Sequence, residues 1–244
     1  MMGERMRAPA LPQATRYLRL PFDFDLARLQ QDLRQLRAEQ WIDHYHPQAH
    51  RQRWSCLPLR SVDGRADHVL ANLDANFRDT PLLARCAYFQ SVINSFECDT
   101  TSVRLMALGP GGRILPHTDA GGGFEDGVAR IHIPIISDAA AIFTIDGEEI
   151  HFSAGAAWYM NASCLHAVYN GANCSRVHLV LDCVPNPWLR RIFTGAGWRA
   201  NPPAKYGDPA IHDGNVERII AGLRIDSTEA GLAMADRLAA MRQL

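Results

Sequence analysis

Residues 129–152 read ARIHIPIISDAAAIFTIDGEEIHF. Three strand-sized runs, ARIHIPI, AIFTI and EEIHF, are separated by short breaks, and Asp146-Gly147 joins the last two. That dipeptide is the two-residue signal of a tight hairpin with positive φ at both central positions. In ARIHIPI the alternation is strict: Arg130, His132 and Pro134 share one face and Ile131, Ile133 and Ile135 take the other. The same texture continues on both sides in SVRLMAL, AAWYM and SRVHLVLD, so residues 102–182 read as a sandwich or barrel of short strands. In SRVHLVLD, Arg176, His178 and Val180 again oppose Val177, Leu179 and Leu181.

Two strands therefore carry Arg-x-His on one side, and two readings follow. An outward face would make them an ordinary polar exterior over an apolar core. An inward face would line a barrel with arginines that cannot shed their charge and so require a carboxylate or phosphate partner.

Outside this block the texture changes. Leu26, Leu29, Leu33 and Leu36 recur at helical spacing, which predicts an amphipathic helix. Leu82, Cys86, Phe89, Ile93 and Phe96 predict a second, with Pro81 in its first turn. His44 to Val69 suggests loops and one short strand. Beyond Pro185 the chain reads as irregular, and residues 213–244 return to helical spacing as an appended pair of helices. The expected organisation is a mainly β domain with flanking helices over 1–200 and a helical extension over 201–244, without internal repeats.

The 244 residues carry 25 basic and 26 acidic side chains, a formal charge of −1, with no long run of either sign. This leaves no electrostatic footprint for nucleic acid or an anionic membrane, and the expected partner is small or locally recognised. No stretch approaches the roughly 18 apolar residues needed to span a bilayer. Six cysteines are scattered without a Cys-x-x-Cys pair and no signal-peptide stretch opens the chain, so the expectation is a reduced, cytoplasmic protein with its cysteines as small core residues.

The chemistry concentrates in LPHTDA, residues 115–120. On an extended backbone His117 and Asp119 point to the same side and can reach one centre. A distant His166 follows, and Arg176 stands ten positions after it. By contrast His44, His46 and His50 lack the spacing of a zinc site and read as solvated or near the substrate opening. His151, Trp158 and Tyr159 read as packing.

The set His117-x-Asp119, His166 and Arg176 resembles the ligand set of the non-haem Fe(II), 2-oxoglutarate-dependent dioxygenases. More narrowly, WIDHYHPQAHRQRWSCLPL, TPLLARCAYF, VRLMALGPGGRILPHTD, RIHIPI, LHAVYN and RVHLVLD resemble the aspartyl/asparaginyl β-hydroxylase family, and within it most nearly the bacterial L-proline cis-4-hydroxylase branch. The resemblance covers residues 25 to 195 or thereabouts. It implies a double-stranded β-helix of jelly-roll type with helices outside. It implies Fe(II) on His117, Asp119 and His166, with positions left open for 2-oxoglutarate and O2. Some animal members lack the carboxylate ligand; this chain has Asp119. Arg176 is implied as the fork that grips the distal carboxylate of 2-oxoglutarate. Arg130 and His132 match the family's RxHxP segment, contributing to the oxoglutarate pocket or to a substrate carboxylate, and His178 and Trp54 match positions near the cosubstrate. Metal and cosubstrate carry the hard chemistry, so no protein general base is expected.

The three glycines in AGGGFEDG, residues 120–127, suggest a loop that closes over bound substrate. The leading expectation is a hydroxylase of a free or carrier-presented amino acid, with proline first. A hydroxylase of Asp or Asn in a peptide, and a jelly-roll binding module without turnover, stand as alternatives. The sequence leaves the oligomeric state open.

Overall fold

From Thr100 onward the chain crosses between two sheets at almost every turn, and that alternation rolls it into a double-stranded β-helix. The computed structural model describes residues 14–36, 41–43, 50–51, 54–69, 75–119, 121–200, 205–208 and 211–242. In chain order the strands are β1 (Tyr17–Asp23), β2 (Ile42–Asp43), β3 (His50–Arg51), β4 (Trp54–Val62), β5 (Phe77–Asp79), β6 (Thr100–Leu108), β7 (Arg113–His117), β8 (Ala129–Ile136), β9 (Ala141–Ile145), β10 (Glu148–Ile150), β11 (Ala156–Met160), β12 (His166–Asn170) and β13 (Arg176–Cys183). The helices are α1 (Leu26–Arg34), α2 (Ala87–Asn94), α3 (Pro187–Gly195), α4 (Val216–Asp226) and α5 (Glu229–Arg242).

The larger sheet runs β1-β11-β8-β13-β6-β4-β2, with β5 beside β4, and the smaller runs β10-β9-β12-β7-β3. All pairs are antiparallel. Successive strands β6, β7, β8, β9, β11, β12 and β13 fall alternately in the larger and the smaller sheet. This is the jelly-roll solution to the edge-strand problem.

Side-chain parity decides what each face meets. On the larger sheet Leu57, Leu59, Val103, Leu105, Ile131, Ile133, Leu179 and Leu181 pack outward against Leu29, Phe89, Ile93, Leu189 and Phe193 of α1, α2 and α3. Each fully buried leucine there contributes about 2 kcal/mol by area. The opposite parity faces the smaller sheet: Trp54, Cys56, Met106, Trp158, Met160 and Val180 meet Ile114, Phe143, Ile145 and Val168. The isoleucines of β8 thus serve the helices, and the Arg/His face lines the interior. Arg176 is 2% and His178 0% exposed, so the polar-exterior reading fails.

Four local expectations need correction. The predicted second helix is broken into a 3₁₀ turn over Leu83–Arg85 and then α2, because Cys86 leaves helical geometry at φ −121° and ψ 74°. The cause lies in α1: the buried Asp32 carboxylate accepts the backbone N–H groups of Tyr88 (2.8 Å) and Phe89 (2.9 Å) and starts α2 there. The stretch just after Pro185 is not irregular, for Pro187–Gly195 forms α3. Asn186 caps α3 by accepting the N–H of Leu189 at 2.9 Å, and Pro187 fits the first turn. The single short strand expected between residues 44 and 69 is the nine-residue β4, and β1 was not signalled at all. The hairpin turn is as read: Asp146 and Gly147 have φ of 46° and 80°.

The chain divides into two compact units, Thr15–Arg199 and a second that takes in 200–244. In the second, α4 and α5 bury Val216, Ile220, Ala235 and Leu238 together with Tyr206. No helix among the described residues is long and apolar enough to cross a membrane.

Candidate metal centre

His117 ends β7 and His166 opens β12, and the two are directly paired across the sheet. Their register is irregular. His117 opposes His166 while Ile114 opposes Val168, so β7 holds one more residue than β12 over this stretch. The extra residue falls beside Pro116, which has no N–H to offer a ladder. Regular alternation over the same residues would send His117, three positions after the buried Ile114, to the other face; the bulge brings it back.

Both imidazoles are fixed by the same device. Nδ1 of His117 donates to the Leu115 carbonyl at 2.8 Å, and Nδ1 of His166 to the Cys164 carbonyl at 2.9 Å. A carbonyl can only accept, so each Nδ1 carries the proton and each Nε2 is left as a ligand atom. The rings lie 4.2 Å apart at centroids. Asp119 sits just past β7, its N–H bonded to the Ala162 carbonyl at 2.9 Å, and its Oδ1 is 3.7 Å from His117 Nε2. Ligand atoms of His117, Asp119 and His166 all lie within 4.8 Å of one another, an arrangement that fits a divalent cation. Burial lowers the His166 pKa below its ordinary value, which keeps the imidazole neutral and available to a metal. Burial works against ionisation of Asp119, but Arg130, by its charge and its hydrogen bond, outweighs it and holds the carboxyl below the usual range.

Behind the metal ligands stands a charge network. Arg130 Nη1 donates to Asp119 Oδ2 at 2.5 Å, while its Nε and Nη2 donate to the two oxygens of Asp182 at 2.8 and 3.4 Å. Asp182 also meets Arg104 Nη2 at 3.3 Å, and Arg104 Nη1 donates to Ser102 at 2.9 Å. Arg130, expected as a second cation in want of an anion, is therefore satisfied within the chain. The sequence reading missed Asp182 and Arg104. The signal was available, since Asp182 has the parity of Arg176 and His178 on β13, and Arg104 has the inward parity of Met106 on β6.

At the other end of β13 the situation reverses. Arg176 is buried at 2% exposure, its Nε and Nη1 have no hydrogen-bond partner, and among the described residues no carboxylate pairs with it. Its guanidinium lies over the Phe143 ring at 5.1 Å. Desolvation pulls its pKa down to about 10. His178 and His132 stand nearby with their Nδ1 atoms 3.4 Å apart and their Nε2 atoms unpartnered. Burial, and then the charge of Arg176, push both well below the ordinary histidine range. Trp54 is buried on the same inner face, across from Leu108, which in turn pairs with Arg176. Arg176, with its buried Nε and Nη1 unpartnered, makes this corner an anion pocket, and a dicarboxylate such as 2-oxoglutarate fits its chemistry.

The remaining expectations divide. Trp158 packs parallel to Phe152 at 5.0 Å, and His151 is bound to the Ala141 carbonyl. Tyr159 does more than pack, because its hydroxyl accepts the N–H of Phe124 at 3.0 Å. Phe124 is itself 1% exposed and stacks on Phe193 at 4.2 Å, so the glycine-rich loop is pinned to α3 rather than free to close. Its glycines answer to geometry: Gly121 has φ of 72°, and a Cβ on Gly123 would sit 2.9 Å from Asp126 Oδ2. His44 and His46 lie outside the described residues, and His50 is described by its backbone alone.

The family profile described as aspartyl/asparaginyl beta-hydroxylase matches residues 23–185. No curated protein matches the chain. Similar solved structures include a prolyl-4-hydroxylase from Pseudomonas putida, with 12% identity over 70% of this chain and 93% of that one at a TM-score of 0.46. Another is an oxidoreductase of the 2OG-Fe(II) oxygenase family from Burkholderia pseudomallei, with 13% identity over 65% and 78% at 0.43. A predicted oxalate decarboxylase from Thermotoga maritima shows 12% identity over 59% and 92% at 0.35. These likenesses are too distant to carry a substrate or a residue role.

Proposed function

The chain belongs to the aspartyl/asparaginyl β-hydroxylase family, and on that premise we propose that it hydroxylates an aliphatic carbon of an amino acid, with free proline the leading candidate. The class is that of the Fe(II)/2-oxoglutarate oxygenases, and the His-Asp-His set suits its metal. Fe(II) on His117, Asp119 and His166, together with 2-oxoglutarate and O2, supplies the oxidising power to place one oxygen atom in a C–H bond and leaves succinate and CO2.

The chain's own residues bind, orient and exclude water. The observation that carries the reading is Arg176: a buried guanidinium with two unpartnered nitrogens is a cost to a purely structural barrel and an asset to one that takes up a carboxylate. It disfavours a non-catalytic binding module. The Nδ1 bonds of His117 and His166 hold both rings in the tautomer a metal needs. Phe143, Phe152 and Trp158 wall the pocket with stacked apolar surface.

The amino-acid substrate is supported by the likeness of the ligand-bearing segments to the proline branch. Arg130 adds no support to it, since Asp182 and Asp119 already occupy that side chain. Hydroxylation of a carrier-presented residue, or of Asp or Asn in a peptide, is the competing substrate reading. A cytoplasmic location is part of the same proposal and agrees with six free cysteines.

The test is a mass-spectrometric screen of free amino acids and short peptides with Fe(II), 2-oxoglutarate and O2. The expected product is proline heavier by one oxygen atom, matched by succinate. Products from peptides or carrier-bound residues alone would defeat the substrate proposal, and absence of succinate with every compound would defeat the hydroxylase reading.

A further inference from the structure

Asp182 is a buried carboxylate, 3% exposed, that touches no candidate ligand atom directly. It nevertheless ends a continuous chain of contacts that reaches one. Ser102 holds Arg104, Arg104 holds Asp182, Asp182 grips the Nε edge of Arg130 side-on, and Arg130 Nη1 holds Asp119 Oδ2. Strand pairing places each link. Asp182 lies directly opposite Arg130 between β13 and β8, and β6 brings Arg104 to the other side of β13.

Two consequences follow for Asp119, whose side chain is 36% exposed and would otherwise be free to turn. One oxygen is taken by Arg130, which leaves Oδ1 on the side of His117 Nε2. The planar fork of Arg130 can hold that oxygen in one place only because its other edge is itself fixed on Asp182. The second consequence is electrostatic. Arg130 stands beside a site for a divalent cation, and an uncompensated guanidinium there would repel the metal and compete for Asp119. Asp182 supplies the compensating charge, with Arg104 balancing Asp182 in turn.

We infer that Asp182 is a positioning residue of the metal centre, acting through Arg130 to orient Asp119 and to neutralise the cation behind it. The inference rests on the metal-centre reading above. It predicts a change in metal affinity that a structural salt bridge would not produce, because the effect must vanish when Arg130 is gone.

The experiment titrates Mn(II) into the metal-free protein, without oxoglutarate, and follows the free Mn(II) signal by electron paramagnetic resonance. Asp182→Asn should weaken Mn(II) binding about 10- to 100-fold, the range for loss of a group that orients a metal ligand. In the Arg130→Gln background the same substitution should change the affinity by less than about twofold, as expected when one residue acts only through the other. Arg130→Lys keeps the charge but loses the fork that joins both carboxylates, so it too should weaken Mn(II); this arm decides the matter if Asp182→Asn does not fold. Undiminished binding by Asp182→Asn or Arg130→Lys, or an Asp182→Asn loss that persists without Arg130, overturns the inference while the metal centre stands. A wild-type protein that takes up no Mn(II) overturns both.

Discussion

Replacing Arg176 by methionine should move stability and cosubstrate binding in opposite directions. The side chain is 2% exposed, and its Nε and Nη1 lack partners, so the ligand-free protein bears a desolvated charge without return. Methionine is similar in length and apolar, and relief of a buried charge of this kind is worth about 1–4 kcal/mol. At about 2–4 °C per kcal/mol for a chain of this size, the apparent Tm should rise by several degrees. Binding should suffer in the same variant. Two charge-assisted hydrogen bonds of roughly 1.5–3 kcal/mol each amount to roughly 3–6 kcal/mol. This is a loss of about a hundredfold to ten-thousandfold in 2-oxoglutarate affinity. The assays are calorimetric titration of 2-oxoglutarate into Mn(II)-loaded protein and thermal unfolding without ligand. Oxoglutarate affinity within about threefold of wild type would refute the assignment of the pocket, and a fall in Tm would refute the view that the guanidinium is unpaired at a cost.

Acid should destabilise the protein before its carboxylates titrate. Burial and then Arg176 keep His132 and His178 neutral well below the ordinary 6.5. Above that value neither folded nor unfolded chain binds these protons; below it only the unfolded chain does. Stability should therefore fall as pH drops through about 6.5 and onward toward the folded values, by up to about 2.7 kcal/mol per pH unit for two protons. Urea midpoints across this range check it, and a His132→Gln/His178→Gln variant should show a flatter profile. Asp32→Ala should strand the N–H groups of Tyr88 and Phe89 and cost about 1–3 kcal/mol. A thermal shift below about 0.5 kcal/mol would mean that α2 begins where it does for another reason.

Parity made most of the barrel legible. Arg130, His132, Arg176 and His178 occupy alternate positions on runs whose other positions are Ile, Val or Leu, and a sheet can hide both sets only if helices cover one and a second sheet covers the other. Which set went where was not in the pattern; it depended on α1, α2 and α3, and α3 itself was overlooked because the stretch beyond Pro185 reads as irregular, although Pro187 suits a first turn. His117, Asp119, His166 and Arg176 stood out because their order and spacing resemble a known ligand set. Asp182 did not, because a single acid at the end of an apolar strand gains meaning only when Arg130 is found opposite it. The break at Cys86 was equally hidden, being dictated by a carboxylate more than fifty residues away.

The extra residue in β7 gives this barrel a phase that can be altered without altering its shape. Deleting one residue between Ile114 and His117 would give β7 and β12 a regular ladder, which is easier to form than the present one. Ile114 and His117 would then stand two positions apart, so His117, with Asp119 sharing its parity, would keep the inner face opposite His166. Straightening the strand at its present length would do the reverse and carry His117 and Asp119, two of the three candidate metal ligands, outward at one stroke. The bulge in this five-residue strand, rather than the identity of any one side chain in it, therefore sets the phase on which the site depends, and a mutational scan by substitution alone would fail to see it.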